Sequence, residues 1–227
     1  MLRTLKGVTT IPRGRPLPCY DAHLPLMSLP HILGIDTATL RQQVPYLFAE
    51  PSRVGEWAGR LPGGALRVGI AWQGNPKAKA DKGRSIPLRM FSPLCRIPGL
   101  TLISLQKGAG VAQLADLPPG MKVETLGAEF DAGGAAAFLD TAAVMTRLDL
   151  VICSDSSIAH LAGALGRPVW IALKYLPDWR WMTDSEDTPW YPTARLFRQT
   201  RRDDWQEVFE RITAELARVA AGSGGPQ

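Results

Sequence analysis

From about residue 66 onward, short apolar runs rich in β-branched residues alternate with helix-like stretches, and this alternation constrains the fold more than any other feature. The runs VGIAW, LDLVIC and PVWIAL are apolar throughout, as is typical of strands that are covered on both faces. Such strands, alternating with helices, predict an α/β fold with a doubly wound parallel sheet. We predict strands at residues 66–72, 100–105, 122–126, 149–153, 168–173 and 195–199.

Helices are predicted between these strands, at residues 88–95, 111–115, 135–147 and 158–165. A longer amphipathic stretch follows the last strand, at residues 203–220. It begins with aspartates, which the positive end of a helix dipole favours. The predicted sheet and helices together describe a Rossmann-like domain over residues 66–221.

The first 65 residues have a different character. They contain one possible strand, at residues 6–11, and then a proline-punctuated stretch up to residue 30, which is too little for an independent core. Residues 51–65 are rich in glycine and proline and are predicted to be an interdomain linker. We therefore interpret residues 1–50 as the remnant of a preceding N-terminal domain, and residues 222–227 as a disordered tail.

Composition excludes several classes of protein. Apolar residues make up 45% and charged residues 21% of the chain, as in globular proteins, and no apolar run approaches the ~20 residues of a membrane span. The N-terminus lacks the apolar core of a signal peptide, so we predict a cytoplasmic location. Three dispersed cysteines and three histidines form no familiar ligand pattern, so we predict no disulfide framework, no metal and no other cofactor.

The net charge of +5 favours an anionic ligand. Nucleic acid is not the predicted partner, because the seven tryptophans are scattered and no basic recognition helix is visible. In open parallel sheets, ligands bind outside the carboxyl ends of the strands, and four segments at predicted strand ends carry candidate residues.

The first segment, Asp155-Ser156-Ser157, directly follows the buried run LDLVIC. Serine and aspartate are good N-cap residues, so a helix is predicted to begin here, and its free N–H groups and positive dipole end would bind phosphate. His160 lies three residues after Ser157, on the same side of the helix and within reach of the same anion. In the alternative interpretation, Asp155 or Ser156 only caps the helix and His160 packs against the sheet.

The second segment follows the first predicted strand and runs from Gln73 to Arg84. Gly74 permits close approach of the backbone to a ligand. Lys77 and Arg84, together with the lysines at positions 79 and 82, could neutralise a diphosphate. The alternative interpretation is a solvated basic loop, the usual environment of such a run.

Two further segments carry weaker candidates. Gln106, followed by Lys107 at the end of the second predicted strand, could read the edge of a nucleobase or belong to an ordinary strand-to-helix turn. Asp140 and Thr141 lie at the start of a predicted helix, where simple capping is favoured by the local sequence alone.

Other enzyme classes fit the sequence less well. Asp155, Ser157 and His160 supply the residue types of a hydrolase triad, but they lie within a single helical turn, and no G-x-S-x-G elbow is present. A Walker A motif and a G-x-G-x-x-G fingerprint are also missing, which argues against a kinase or a dehydrogenase. No residue is assigned a catalytic role from the sequence.

The stretch LDLVICSDSSIAHLAGALGRPVWIAL resembles the motif of the ADP-heptose:lipopolysaccharide heptosyltransferases, glycosyltransferase family 9. In that motif an apolar strand precedes Asp-Thr-Gly or a variant, a histidine three residues on, and Ala-Leu-x-x-Pro. Two other stretches, VGIAWQGNPKAKADKGRSIPL and PDWRWMTDSEDTPWYPTARLFRQ, are similar to a bacterial subgroup that joins tetratricopeptide repeats to a transferase domain related to O-GlcNAc transferases. The resemblance covers nearly the whole chain.

The resemblance implies a GT-B architecture, in which two Rossmann-like domains face each other across a cleft and no metal ion is required. Residues 66–221 would be the C-terminal domain, which holds the nucleotide-diphosphate sugar, here a UDP- or ADP-sugar. Position by position, the residues that match the family's donor-site motifs are Asp155, Ser156, Ser157, His160, Gln73 and Lys77. Serine stands at position 157 where the family commonly has glycine, and its side chain limits the close approach that glycine allows.

The implied activity is transfer of the sugar to a hydroxyl group of an acceptor glycan or protein. The helix terminus, with Lys77 and Arg84, would stabilise the charge of the leaving diphosphate. The general base of such enzymes normally belongs to the N-terminal domain, so we predict that this chain alone binds donor weakly and turns over little. The alternatives are a non-catalytic nucleotide-sugar-binding or interaction module and, less favoured, a nucleotide-sugar epimerase, for which no acid/base carboxylates stand out.

Overall fold

The computed structural model of the chain describes residues 2–5, 7–37, 39–40, 43–132, 134 and 137–222. Its centre is a five-stranded parallel sheet in the order β2-β1-β3-β4-β5, which confirms the predicted α/β fold. The strands are β1 (Leu66–Ala71), β2 (Leu100–Ser104), β3 (Leu150–Ser154), β4 (Val169–Leu173) and β5 (Ala194–Arg198). Each begins and ends within one residue of a predicted strand.

Within these residues, five α-helices accompany the sheet: α1 (Leu29–Ile32), α2 (Pro51–Ala58), α3 (Leu139–Met145), α4 (Ser157–Ala164) and α5 (Trp205–Gly222). Short 3₁₀ helices lie at Leu2–Thr4, Leu26–Ser28, Lys79–Asp81, Leu88–Arg96, Val111–Ala115 and Trp179–Trp181. Among the residues that the structure describes, no helix is long and apolar enough to cross a membrane.

Successive side chains of each central strand pack into two different hydrophobic cores, one on each face of the sheet. In β3, Ile152 belongs to the core that α5 and the Leu88–Arg96 segment cover, whereas Val151 and Cys153 belong to the core beneath α3 and α4. Both faces of the sheet are therefore covered by hydrophobic cores, which explains why the strands are apolar throughout instead of alternating with polar residues. Burial raises the pKa of the Cys153 thiol, so this cysteine is a protonated core residue.

Some predicted elements take a different form. The predicted strand at 122–126 contributes only an isolated bridge, from Glu124 to Ile103 of β2. The predicted helix at 88–95 is a 3₁₀ helix that contains Pro93, whose missing N–H cannot support α-helical pairing, and the one at 111–115 is also 3₁₀. No strand forms at residues 7–11, and Lys6, the first residue of that prediction, lies outside the described residues.

Two further predicted boundaries differ from those in the structure. The helix predicted at 135–147 begins as α3 at Leu139, and its first two predicted residues, 135 and 136, are not described. Gly222, the first residue of the predicted disordered tail, is the last residue of α5, whereas residues 223–227 lie outside the described part.

Residues Pro51–Ala58, in the first half of the predicted linker at 51–65, form the helix α2. A proline at the first helical position is compatible with a helix, and that is where Pro51 stands. Trp57 is only 2% exposed and packs edge-on against Phe130, with ring centroids 5.5 Å apart. Arg53 Nη1 lies 2.6 Å from Asp140 Oδ1 of α3. The stretch before β1 is therefore packed on the α/β body. The division of the chain into domains stays a prediction.

Candidate functional site

The strand order places a topological switch point at the carboxyl ends of β1 and β3. The chain leaves β1 toward β2 on one side, and β3 then pairs with β1 on the other side, so the loops after β1 and β3 diverge and leave a crevice between them. A cavity of about 460 Å³ lies there. Its lining includes Gln73, Gly74, Gln106, Lys107, Asp131, Phe138, Thr141, Ser156 and Ser157.

The N-terminus of α4 opens on this cavity. Ser156 is the N-cap residue, with an extended backbone (φ −150°, ψ 177°), but its hydroxyl makes no capping hydrogen bond. Within the described part of the chain, the hydroxyls of Ser156 and Ser157 and the N–H groups of Ser157 and Ile158 have no partner. Unpaired N–H groups at the positive end of a helix dipole make an anion site.

Gln106 connects the loops that follow β1 and β2. Its Oε1 accepts hydrogen bonds from the N–H groups of Trp72 and Gln73, each at 3.0 Å, and its Nε2 donates to the carbonyls of Gln73, Lys107 and Ala109. The side chain is 8% exposed, and every polar atom on it already has a partner. Gln106 therefore positions the wall of the cavity, and the predicted reading of a nucleobase edge by this amide is not supported by the geometry.

The candidate site residues on the loop after β1 differ in what surrounds them. Gln73 lines the cavity, where its Oε1 accepts a hydrogen bond from Gln113 at 3.1 Å. Gly74 also lines it, but a Cβ at this glycine would lie 2.5 Å from Arg84 Nη2 and 2.6 Å from Asp81 Oδ1. The space that a side chain would need at this position is therefore occupied by the protein's own ion pair, and the approach of a ligand to the Gly74 backbone stays a prediction.

Lys77 and Arg84, from the predicted phosphate loop, do not line the cavity. Arg84 donates from Nε and Nη2 to Asp81 Oδ1, at 3.3 and 3.2 Å, so a neighbouring carboxylate already compensates its charge. Lys77 is exposed in a turn in which its backbone N–H donates to Asn75 Oδ1, and it lines a separate pocket beside the cavity. Both cations lie on the loop that forms one rim of the cavity.

At the opposite loop, Asp131 is a cavity residue that sequence reasoning missed. Its buried carboxylate accepts hydrogen bonds from the Asp140 N–H, at 2.9 Å, and from the Thr141 hydroxyl, and thereby caps α3. Only an isolated aspartate in a glycine- and alanine-rich stretch marks it in the sequence. Thr141 lines the cavity, and the Nζ of Lys107, also in the lining, donates to the Phe130 carbonyl.

Asp140 does not line the cavity; its side chain makes structural contacts, and its role in donor binding stays a prediction. Its Oδ2 accepts the Asp131 N–H at 2.9 Å, and its Oδ1 pairs with Arg53 of α2. Burial opposes the ionisation of this carboxyl, but hydrogen bonds from Trp57, Asp131 and Arg53 outweigh it and hold its pKa below the usual value.

His160 also points away from the cavity. Its ring stacks on Trp181, with centroids 5.1 Å apart and planes at 17°, and its Nδ1 lies 3.0 Å from the Tyr191 hydroxyl. Burial lowers the pKa of His160 below its usual value, and the positive charge of Arg180 acts in the same direction. The alternative interpretation, in which this histidine packs in the fold, is the one that the geometry supports.

Asp155, between β3 and the N-cap, is buried, and in the described residues its carboxylate has no hydrogen-bond partner. It adjoins the cavity through Ser156 but is not part of its lining. Among the residues described, no three His, Cys, Asp or Glu side chains lie close enough together to hold a metal ion. The three cysteines are free thiols.

The fold and the strand-end cavity define an α/β domain of the kind that binds nucleotides at a switch point. Residues 103–177 match the family model of glycosyltransferase family 9 (heptosyltransferase). The fold matches Escherichia coli ADP-heptose lps heptosyltransferase II with a TM-score of 0.57 and 17% identity, and the family 9 glycosyl transferase from Veillonella parvula DSM 2008 with a TM-score of 0.54 and 14% identity. By its fold and by this partial family match, the chain resembles glycosyltransferases of family 9.

These matches cover 83% and 87% of this chain, but only 57% and 58% of the two enzymes. Protein FlbA of Caulobacter vibrioides (strain ATCC 19089 / CIP 103742 / CB 15) is 29% identical over 186 residues, which is 78% of this chain and 29% of FlbA. The chain thus spans under a third of that relative and little more than half of the two enzymes. The relation to tetratricopeptide-repeat proteins stays a prediction.

Proposed function

We propose that the strand-end cavity binds a nucleotide-diphosphate sugar, and that the chain carries the donor-binding part of a glycosyltransferase. The observation that supports this most strongly is the unpaired N-terminus of α4, which opens on a cavity of about 460 Å³ beside two serine hydroxyls without partners in the described chain. The diphosphate would accept hydrogen bonds from the N–H groups of Ser157 and Ile158 and from the two hydroxyls.

Other residues have separate roles in this proposal. Lys77 and Arg84 act from the rim, as cations that face the leaving diphosphate only if the loop moves inward. Gln73 and Thr141 contact the donor within the cavity, whereas Gln106 holds the wall. The carboxylate of Asp131 suits a hydroxyl-bearing part of the donor, because a carboxylate accepts hydrogen bonds from hydroxyls and repels phosphate.

Sugar transfer of this kind builds negative charge on the departing diphosphate, and fixed N–H donors at a helix terminus stabilise such charge. We therefore propose that transfer needs no metal ion, as the family resemblance implies. The acceptor hydroxyl must lose its proton to a base, and we propose that the base belongs to a part of the enzyme outside the described cavity. The cytoplasmic location and the link to repeat-containing transferases stay predictions.

Calorimetry with ADP, UDP and GDP in the presence of EDTA tests the donor site. ADP is the first choice, because the structurally similar Escherichia coli enzyme is named for ADP-heptose. The sharpest variant is Ser157→Pro, because proline is tolerated at the first position of a helix and removes one of the unpaired N–H groups. We expect nucleotide affinity to fall about tenfold or more, the usual effect of losing a hydrogen bond to a charged group.

Ser157→Ala is the matched control, because it removes the hydroxyl and keeps the N–H group. It should weaken binding less than Ser157→Pro does. If all three nucleotides fail to bind, or if Ser157→Pro binds as wild type, the donor site is elsewhere. If a nucleotide binds but its sugar is neither transferred nor hydrolysed, even with a supplied N-terminal domain, the non-catalytic binding module is the correct function.

A further inference from the structure

A second pocket, of about 360 Å³, lies at the carboxyl ends of β4 and β5, beyond the loop that follows β1. We call it the basic pocket, and its lining includes Lys79, Lys82, Lys174, Gln199, Arg202 and Asp203. No residue of this lining is shared with the strand-end cavity. A third pocket, on the loop of residues 76–82 (the outer loop), shares Pro76 with the cavity and Lys79 and Lys82 with the basic pocket.

Positive charge dominates this lining. Four cationic side chains face a single carboxylate, that of Asp203. Within the described residues, the ammonium groups of Lys79 and Lys82 and the guanidinium of Arg202 have no acidic partner. Lys174 is fixed, because its Nζ donates to the carbonyls of Ala80, at 3.3 Å, and Lys82, at 3.0 Å. Unpaired cations gathered on two converging loops favour an anion.

Gln199 provides an independent indication of a ligand. The side chain is only 4% exposed, and its Oε1 accepts hydrogen bonds from the N–H groups of Tyr175, at 3.0 Å, and Asp203, at 3.1 Å. Since both partners are donors, the amide oxygen must face them, and the orientation of the amide is fixed. Its Nε2 is then left buried without an acceptor among the described residues. Buried donors without acceptors are rare in folded proteins and call for a missing partner.

We propose that the basic pocket binds a phosphoryl group of a second ligand, held at the same time as the nucleotide. Gln199 Nε2 and Lys174 supply fixed donors at the base of the pocket, and Lys79, Lys82 and Arg202 supply mobile charge at its rim. A phosphoryl group matches this set, because it offers several acceptor oxygens and up to two negative charges.

The basic pocket accounts for the two lysines of the outer loop that do not line the strand-end cavity. Lys79 and Lys82 belong to the basic run that the sequence places beside the donor diphosphate, yet they line the basic pocket. If the proposed transfer function holds, the second ligand is a phosphorylated acceptor; that identification rests on the proposed function, whereas phosphoryl binding does not.

The test is a titration of the whole chain with inorganic phosphate, at constant ionic strength and with ADP at saturation, because salt screens exposed lysines. We expect phosphate to bind in the presence of ADP. In Gln199→Glu the carboxylate keeps the acceptor for the two N–H groups but replaces the unpaired donor with a negative oxygen. Phosphate affinity should fall about tenfold or more, while ADP affinity is unchanged.

Lys82→Gln/Arg202→Gln is the second variant, with an independent expectation of weaker phosphate binding should Gln199→Glu fail to fold. Lys122→Gln removes one positive charge from an exposed residue outside both pockets and should bind phosphate as wild type does. Competition between phosphate and ADP would overturn the proposal, since the pocket would then belong to the donor site, and so would unchanged affinity in both variants. If ADP fails to bind but phosphate binding still depends on Gln199, the donor proposal fails and this one stands.

Discussion

Single polar side chains decide the shape of the cavity, and Gln106 shows this most clearly. Five hydrogen bonds from one amide join the loops after β1 and β2, so the wall of the cavity depends on a residue that has no free group to offer a ligand. In the sequence, Gln106 has the same character as Gln73, whose Nε2 has no hydrogen-bond partner among the described residues. Only the neighbours in space separate the two roles.

Gln106→Leu should therefore destabilise the protein by at least about 3 kcal/mol, because it leaves several buried main-chain donors and acceptors unpaired. Urea unfolding measures the change. Gln106→Glu should be no milder, because it sets a buried carboxylate oxygen against the carbonyls that the amide now donates to. A loss within about 0.5 kcal/mol for the leucine variant would contradict the proposed role.

His160 should make stability depend on pH. Its pKa is lower in the folded protein than in the unfolded chain, chiefly because burial disfavours the charged ring. The stabilising contribution is therefore complete above the unfolded pKa and is lost as the pH falls toward the folded pKa. The free energy of unfolding should decrease between about pH 7 and pH 5.

His160→Gln removes the titrating ring and should flatten this part of the pH profile, as urea unfolding at a series of pH values would show. His23 and His31 are exposed and serve as controls, because replacing either should leave the profile unchanged. A wild-type slope that persists in His160→Gln would assign the effect to another group.

At the scale of elements, α4 is held so that its N-terminus meets the cavity. Its buried face packs on Tyr191, and a Cβ at Gly163 would collide with that ring. The helix can lie this close to the chain segment before β5 only because position 163 is a glycine. A shift of α4 would carry Ser156 and Ser157 with it, so the packing of its middle fixes the position of the proposed anion site.

Gly163→Ala should therefore destabilise the protein by about 1–3 kcal/mol, through overpacking, although alanine favours helices. Gly55→Ala in α2 is the matched control, because nothing lies within 4 Å of the added Cβ. That variant should be more stable by about 0.5–1 kcal/mol. Thermal and urea unfolding of both variants provide the measurement, and a stabilising effect of Gly163→Ala would show that α4 has room to move.

At the scale of the whole molecule, the segment before β1 and the α/β body share one hydrophobic core. Trp57 belongs to the same buried cluster as α3, α4 and β3, and the N–H groups of Tyr46 and Leu47 donate to the Ala164 carbonyl at the end of α4. The glycines and prolines of residues 51–65 suggest a linker, but the burial of this tryptophan depends on contacts with residues about 70 positions away, which local composition does not reveal.

Trp57→Ala should cost about 3–5 kcal/mol, the usual effect of emptying a buried aromatic site. Trp179→Ala is the control, because Trp179 is 61% exposed and its loss should change stability by no more than about 0.5 kcal/mol. Chemical unfolding compares the two. A small effect of Trp57→Ala would support the interpretation of this segment as a separate linker.

The sequence by itself determined the parallel sheet, the bounds of its five strands to within a residue, and the strand ends at which a cavity opens. These features follow from local apolar runs, since a strand covered on both faces must be apolar along its whole length. It also singled out Ser156 and Ser157, because capping residues directly after a buried strand mark the start of a helix.

The tertiary structure decided which polar residues face the cavity. Asp131 faces it, whereas Arg84, Asp140 and His160 do not. Each of the three excluded side chains has a partner that competes with a ligand: Asp81 for Arg84, Arg53 for Asp140, and Tyr191 with Trp181 for His160. All but the first of these partners are distant in sequence. Residue type and spacing state what a side chain can bind, but the choice among its possible partners depends on which groups the fold brings within hydrogen-bonding distance.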